Sequence, residues 1–343
     1  MKTLEIHGST GDSIILIGER LRNLRKYIPS EKAVIITDTN VKHHYLKDFP
    51  SCEVIEMGAG EKIKNLDTVR TIYRKLVDYE VDRSSFIIGV GGGVICDIAG
   101  FVASTYLRGV RFGFVPSTLL SQVDASVGGK NGVNFGGYKN MVGVFNQPEF
   151  VICDMSLLKT LPEIEISSGL AEIVKHAVIG DVDLFSYLEG YHEKALNLDS
   201  EMIENLVYGS LLIKSSIVNR DVKEKGERRK LNFGHTFGHA IEGTTGVSHG
   251  EAVSLGMVVA STFSAIRNHL PSEDSERIEA LLRKLKLPTK IKLDRERVLD
   301  ALRKDKKRKM DSIQFVFLQG IGNAVVEEIS IKELENVVNF IVR

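Results

Sequence analysis

The chain has 343 residues, with 45 Lys+Arg against 45 Asp+Glu, 43% hydrophobic residues and 26% charged residues. That length suits two domains, the composition excludes a disordered chain, and zero net charge argues against a dedicated nucleic-acid binder. Three scattered cysteines (Cys52, Cys96, Cys153) exclude a disulfide scaffold or a cysteine zinc site and suit a reducing cytoplasm. The opening MKTLEIHGST lacks an apolar leader core, and the longest uncharged apolar run, 252–266, falls short of the ~18 residues of a membrane span. A soluble cytoplasmic protein with no nucleic-acid or membrane partner is expected.

In chain order, KAVIITDTN (32–40) reads as a buried strand running into a turn. Ile63, Leu66, Val69, Ile72, Tyr73, Leu76 and Val77 recur at helical spacing and predict one long amphipathic helix. SSFIIGVGGG (84–93) is a strand entering a glycine turn, with an apolar helix following to Tyr106. RFGFVP and FVICD, ending at Asp154, are further strands. Strand–helix–strand alternation predicts an α/β N-terminal domain with a parallel-rich sheet.

The turn Gly89-Val90-Gly91-Gly92-Gly93 stands where a strand meets a helix, and there glycines admit a ligand while helix N–H groups meet an anion. Cys96 occupies the third glycine position of G-x-G-x-x-G and no acidic residue follows ~20 positions on, so this is not a standard dinucleotide fingerprint. A tight turn alone would also explain these glycines. The stretch 124–140 reads as a glycine loop carrying Lys130 and Lys139 near Asp124 and Asn140. Its G-G-K sequence is not a Walker loop, because the first glycine is missing and Asn131 follows the lysine.

After Leu161-Pro162 the pattern turns helical, with helices expected near 163–180, 199–219, 233–245, 250–269, 274–286 and 294–304 and one strand pair, 313–318 with 324–328. The domains are set at 1–157 and 158–343, the second mostly α-helical. Arg295 to Lys309 is locally basic and reads as a solvated helix end and loop. His235 and His239, at i and i+4, share a helix face, and Ser248-His249-Gly250-Glu251 opens the next helix. Upstream, Glu172, Lys175 and His176 interrupt an apolar helix. A carboxylate with two imidazoles is a catalytic zinc arrangement, although scattered, satisfied histidines remain the plain alternative. The G-x-S-x-G match at 246–250 follows a helix end, so a serine nucleophile elbow is rejected.

Together GEKIK (60–64), GGGVICD, TYLRG, PSTLLSQVDASVGGKNGVN, KNMVG, LKTLP, SGLAEIVKH, LNFGHTFGHAIE and SHGEAV resemble the 3-dehydroquinate synthase family over nearly the whole chain. Cys96 departs from that pattern, since the family usually has glycine there. The resemblance implies NAD bound by Asp38, Asn40, Ala59, Gly60, Glu61, Lys62, Ile63, Lys64, Gly93, Val94, Ile95, Cys96, Asp97, Ser117, Thr118, Lys130, Lys139, Leu157, Leu158, Lys159 and Thr160. It implies Zn²⁺ or Co²⁺ on Glu172, His235 and His249. Substrate would meet Asp124, Lys130, Asn140, Lys175, Lys214, Arg228, Asn232, His239 and Lys306 (or its neighbour Lys307), with Arg108 reaching in from a second subunit of a homodimer.

The implied reaction turns 3-deoxy-D-arabino-heptulosonate 7-phosphate into 3-dehydroquinate and phosphate. It runs through transient oxidation by NAD⁺, phosphate elimination, reduction and intramolecular aldol closure. His239, one turn from His235, is the implied proton relay. A sister sugar-phosphate cyclase and a metal-dependent polyol dehydrogenase are the alternatives, and the Lys130, Lys175, Lys214 and Arg228 set speaks against the second.

Overall fold

The computed structural model describes residues 1–8, 10–292, 294–303, 308–309 and 312–341, so Lys306 and Lys307 lie outside the described residues. The chain divides into two compact units, Met1–Pro162 and Glu163–Arg343. Sequence alone drew this boundary slightly earlier, at 157/158.

The N-terminal unit is built on one seven-stranded sheet. Its strands are β1 (Lys2–Gly8), β2 (Gly11–Ile17), β3 (Ala33–Asp38), β4 (Glu53–Met57), β5 (Phe86–Gly91) and β6 (Arg111–Pro116), completed by Phe150–Cys153. Naming the hairpin strands β7 (Lys130–Phe135) and β8 (Tyr138–Phe145) makes that last strand β9, and the order across the sheet is β1-β2-β9-β6-β5-β3-β4. Only β1 pairs antiparallel, with β2; the other neighbours are parallel. Every residue of β3 and β5 is buried, which explains their unbroken apolar runs. From β3 the chain passes outward to β4 and returns to β5 on the opposite side. The strand order therefore reverses between β3 and β5, where open α/β sheets form their ligand crevice.

The unit's helices are α1 (Thr39–Tyr45), α2 (Leu66–Asp78) and α3 (Gly93–Thr105). Asn65 caps α2 by accepting from the Thr68 N–H at 2.9 Å, and Val69, Ile72 and Leu76 form its buried stripe. Ile63 belongs to a separate 3-10 turn, and Val77 is exposed, so the expected stripe is shorter than the sequence suggested. The stretch expected to be a glycine loop is largely the β7–β8 hairpin. Gly136 and Gly137 have φ of 59° and 81° and make the two-residue turn, which side-chain-bearing residues rarely allow. Asp124 precedes it in a π-helical turn, 121–125. Alternation in these strands is obscured because glycine supplies Gly132 and Gly143, directly paired across the hairpin.

The C-terminal unit holds α4 (Glu163–Gly180), α5 (Val182–Leu196), α6 (Ser200–Arg220), α7 (His235–Thr245), α8 (His249–Ile266), α9 (Ser272–Lys284), α10 (Arg295–Arg303) and α11 (Ile331–Ile341). A small antiparallel sheet, β10 (Arg308–Lys309), β11 (Ser312–Leu318) and β12 (Ala324–Ser330), completes it. α5 and α11 went unread in the sequence. Phe237, Phe263, Phe315 and Phe317 stack edge-on to join α7 and α8 to β11. Between α7 and α8, Gly246 closes one helix in left-handed geometry and Ser248 opens the next through a capping box with Glu251. No strand precedes Ser248, so the elbow motif is chance. No helix among the described residues is long and apolar enough to cross a membrane.

Candidate active site

In the N-terminal unit, most of the expected nucleotide residues follow the carboxyl ends of parallel strands. Asp38 ends β3 and caps α1, accepting the Asn40 and Val41 N–H groups at 2.9 Å each. Burial raises its carboxyl above the ordinary value despite those bonds. Ala59, Gly60, Glu61, Lys62 and Ile63 make the bend and 3-10 turn after β4. Lys64 then goes inward, where its ammonium pairs with Asp97 on α3. Burial pushes Asp97 up to about 6, against the opposing pull of Lys64.

Gly92 caps α3 without a side-chain bond, so the helix presents its first N–H groups at the β5 carboxyl end. A Cβ on Gly93 would stand 2.9 Å from the Ala125 Cβ, too close without movement, so the helix start and the 121–125 turn can approach only with glycine there. Ser117 donates its N–H to the Gly91 carbonyl at 2.9 Å, and the Thr118 N–H reaches the Ser121 hydroxyl at 3.1 Å. Ile95 and Cys96 are buried in the core. The Cys96 sulfur lies 3.7 Å from the Gly91 carbonyl, and burial drives its thiol pKa far up, making it an inert packing group.

Leu157, Leu158, Lys159 and Thr160 form a 3-10 turn after β9, with both leucines buried and the last two residues exposed. Tyr45 anchors that turn, donating to the Leu157 carbonyl at 3.1 Å and meeting the Thr160 hydroxyl at 2.8 Å. Lys130, Lys139 and Asn140 stand exposed on the β7–β8 hairpin. Arg108 is exposed on a turn where it and Leu107 have φ of 67° and 51°.

In the C-terminal unit three helices bring Glu172, His235 and His249 together, with a ligand atom from each within 4.8 Å of the others. Glu172, on α4, is fully buried; its Oε1 lies 3.1 Å from His249 Nε2 and 3.5 Å from His235 Nε2. Gly250 makes this convergence possible, because a Cβ there would sit 2.2 Å from the Ser168 Cα on α4. The other Glu172 oxygen pairs with Lys175 one turn along. Burial alone would raise the Glu172 carboxyl, but Lys175, His235 and His249 outweigh it and hold it well below the usual carboxylate range.

The two imidazoles differ. Burial and the nearby Lys175 cation hold His235 far below the ordinary histidine value, so its ring is neutral. Its Nδ1 donates to the Phe233 carbonyl at 3.1 Å, which turns the bare Nε2 toward Glu172. His249 is opposed by burial, yet Glu172 and Glu242 flank it and push it up to about 10. One carboxylate and two imidazoles, both of which ligate in the neutral form so that binding at His249 would release its proton, fit a divalent transition metal.

In the same unit, Lys175, Lys214 and Arg228 are almost completely buried. The 3-10 segment 227–232 that carries Arg228 and Asn232 packs on α4 and α6. His239 is exposed on α7, its ring centroid 5.2 Å from that of His235. His176, also on α4, has its Nδ1 2.6 Å from the Ser210 hydroxyl. Sequence reasoning missed Glu242 as a partner of His249, with 3.9 Å between their atoms. The signal was present, since Glu242 follows His235 by seven positions and so lies on the same helix face.

Known proteins match along nearly the whole chain. The family model for the 3-dehydroquinate synthase N-terminal region covers residues 54–168, and that for the C-terminal region covers 169–308. The 3-dehydroquinate synthase of Thermoanaerobacter pseudethanolicus is 41% identical over 337 residues, 94% of this chain and 93% of its own. A 2-epi-5-epi-valiolone synthase from Streptomyces hygroscopicus, solved with NAD⁺ and Zn²⁺, has a TM-score of 0.89 at 25% identity, covering 99% of each chain. A 2-deoxy-scyllo-inosose synthase solved with carbaglucose-6-phosphate, NAD⁺ and Co²⁺ has a TM-score of 0.85 at 26% identity, over 98% of this chain and 99% of its own. The solved cyclases share the architecture at low identity, whereas the closer sequence likeness and both family models agree on one group. This chain belongs to the 3-dehydroquinate synthase family.

Proposed function

We propose that the protein converts 3-deoxy-D-arabino-heptulosonate 7-phosphate to 3-dehydroquinate and phosphate in the cytoplasm, as a homodimer dependent on NAD⁺ and a divalent metal. The observation that carries this reading is the Glu172–His235–His249 cluster, with Glu172 and His235 buried, in a unit that also buries Lys175, Lys214 and Arg228. A polyol dehydrogenase needs the metal trio but has no use for three sequestered cations. A substrate bearing both a carboxylate and a phosphate does.

In this reading Glu172, His235 and His249 hold Zn²⁺ or Co²⁺, which when bound lowers the pKa of a coordinated hydroxyl and favours its oxidation. Lys175, Lys214, Arg228 and Asn232 orient the carboxylate and phosphate through charge-assisted hydrogen bonds, with Lys130, Asp124, Asn140 and Lys306 completing the substrate set. His239, exposed one turn from His235, moves the proton at its imidazole. NAD⁺ would be held at the carboxyl edge of the N-terminal sheet and would supply reversible hydride acceptance. The amides opening α3 would suit its diphosphate, and Asp38, Asn40, the 59–64 turn, Ser117, Thr118, Lys139 and the 157–160 turn would hold the rest.

The dimer is supported by Arg108 standing outward on a turn and by the exposed Phe135, Tyr138, Met141 and Phe145 of the hairpin. Free cysteines throughout suit a reducing compartment.

The test measures phosphate, 3-dehydroquinate and NADH together. Equal yields of the first two, no net NADH, and loss of both products with chelator are expected, and a hexose 6-phosphate should release nothing. Accumulating NADH without phosphate would identify a dehydrogenase instead.

A further inference from the structure

Arg228 and Asn232, proposed above as substrate contacts, stand on the short 3-10 segment 227–232 that follows a loop after α6, so something must fix its path. α6 ends at Arg220, and the next residue, Asp221, turns its carboxylate onto the loop that follows. Asp221 Oδ1 accepts the Lys225 N–H at 2.9 Å, while Oδ2 accepts the Gly226 N–H at 2.7 Å and the Arg228 N–H at 3.1 Å. One side chain thus gathers three amides from a four-residue stretch. Burial would raise this carboxyl, but the three N–H bonds and the Arg228 charge hold it below its ordinary value, so it is ionised at neutral pH.

Inside the loop, Glu224 is in left-handed geometry with φ of 56°, a costly conformation for a side-chain-bearing residue. Its carboxylate accepts from Asn232 Nδ2 at 2.6 Å. The Arg228 guanidinium donates to the Val222 carbonyl at 2.6 Å and is only 2% exposed. On the outer side, Glu227 pairs with Arg220 at 2.9 Å and Lys230 at 3.6 Å. Asp221 contacts the amides that set the backbone direction at Arg228.

We infer that Asp221 is a positioning residue for substrate binding: its carboxylate folds the 222–228 loop so that Arg228 and Asn232 meet the phosphorylated keto-acid. This rests on the reading that Arg228 and Asn232 contact substrate. Asparagine has one acceptor oxygen and an amide that cannot accept. Asp221→Asn therefore leaves at least one of the three N–H groups facing an NH₂, whichever way it turns.

The test compares Asp221→Asn, Arg228→Ala, their combination and Glu227→Gln in the full-length enzyme loaded with zinc and NAD⁺. Initial rates are taken against 3-deoxy-D-arabino-heptulosonate 7-phosphate, well below each variant's Tm. Asp221→Asn should raise KM for that substrate about ten-fold, with kcat within about three-fold and KM for NAD⁺ unchanged. Adding Arg228→Ala should give no further rise beyond Arg228→Ala alone, because the two act through one group. Glu227→Gln should change KM less than about two-fold.

An unchanged KM in Asp221→Asn, or effects that multiply with Arg228→Ala, overturns the inference. Unchanged KM in Arg228→Ala alone overturns the underlying substrate assignment instead. Should Asp221→Asn fail to fold, Asp221→Glu, which keeps the charge but lengthens the reach, replaces it. A smaller KM rise is then expected, and none overturns the inference.

Discussion

In the N-terminal unit, the anion recognition proposed above would rest on backbone: amides opening α3 and a glycine that lets the 121–125 turn close in, with the Lys64–Asp97 ion pair beside them. In the C-terminal unit it would rest on side chains, with Lys175, Lys214 and Arg228 removed from water, as are Glu172 and His235. Amide dipoles at a helix start are already in place and cost little desolvation. Buried charges persist only while each offsets another, so removing one exposes its partner to the full penalty. The first site should therefore fail through shape and the second through charge.

The largest effect is expected from Glu172→Ala. It removes the shared oxygen of the metal trio and leaves the Lys175 ammonium buried without its carboxylate. Bound metal should disappear by elemental analysis, phosphate release should fall about 10³-fold or more, and stability should drop by about 3–5 kcal/mol in urea unfolding. Normal metal content would break the contrast between the units.

Gly93→Val sharpens the comparison from the other side. The added Cβ collides with Ala125, so the helix start must shift. KM for NAD⁺ should rise about ten-fold or more while metal content and Tm stay near wild type. A large loss of metal would show that the two sites are not separable in this way.

The smallest effect lies outside both sites. Glu19 accepts hydrogen bonds from Asn23 and Tyr27, and although burial opposes ionisation its carboxyl falls to about 2. A lowered carboxyl pKa contributes stability above the unfolded value near 4.5 and loses it as pH falls through about 2. Glu19 is partly exposed, so Glu19→Gln should cost no more than about 1 kcal/mol at pH 7. The gap between variant and wild-type Tm should close progressively between pH 4.5 and 2.5. A gap that widens on acidification contradicts the assignment.

Legibility in the sequence followed the same division. Fully buried strands such as β3 and β5 were readable because both faces are apolar, and α4, α6 and α8 because they are long. The β7–β8 hairpin hid behind its glycines, whose missing side chains erase the alternation that marks a strand. α5 was obscured by mixed polarity and by the break at Tyr191. The metal trio was visible through the i, i+4 histidines and the family resemblance. Asp221 was not, since it works by accepting backbone N–H groups, which no side-chain pattern records. Lys175 stood out as a charge in an apolar helix and Arg228 was named only through resemblance; that both charges are almost wholly buried is a tertiary fact.

The zero net charge carried little information here. Opposite charges cancel pairwise within the sites, as Glu172 with Lys175 and Asp97 with Lys64, so the global sum says nothing about where cations cluster.

The most direct test of the account is phosphate release by His249→Ala with NAD⁺ in excess. In the proposed site His249 would supply one of three metal contacts, and it is not buried as deeply as Glu172, so the variant should fold and still bind NAD⁺. Release from 3-deoxy-D-arabino-heptulosonate 7-phosphate should fall at least about 10³-fold under metal concentrations that saturate wild type. Wild-type rates from that variant would contradict the metal site, and with it the mechanism built on it.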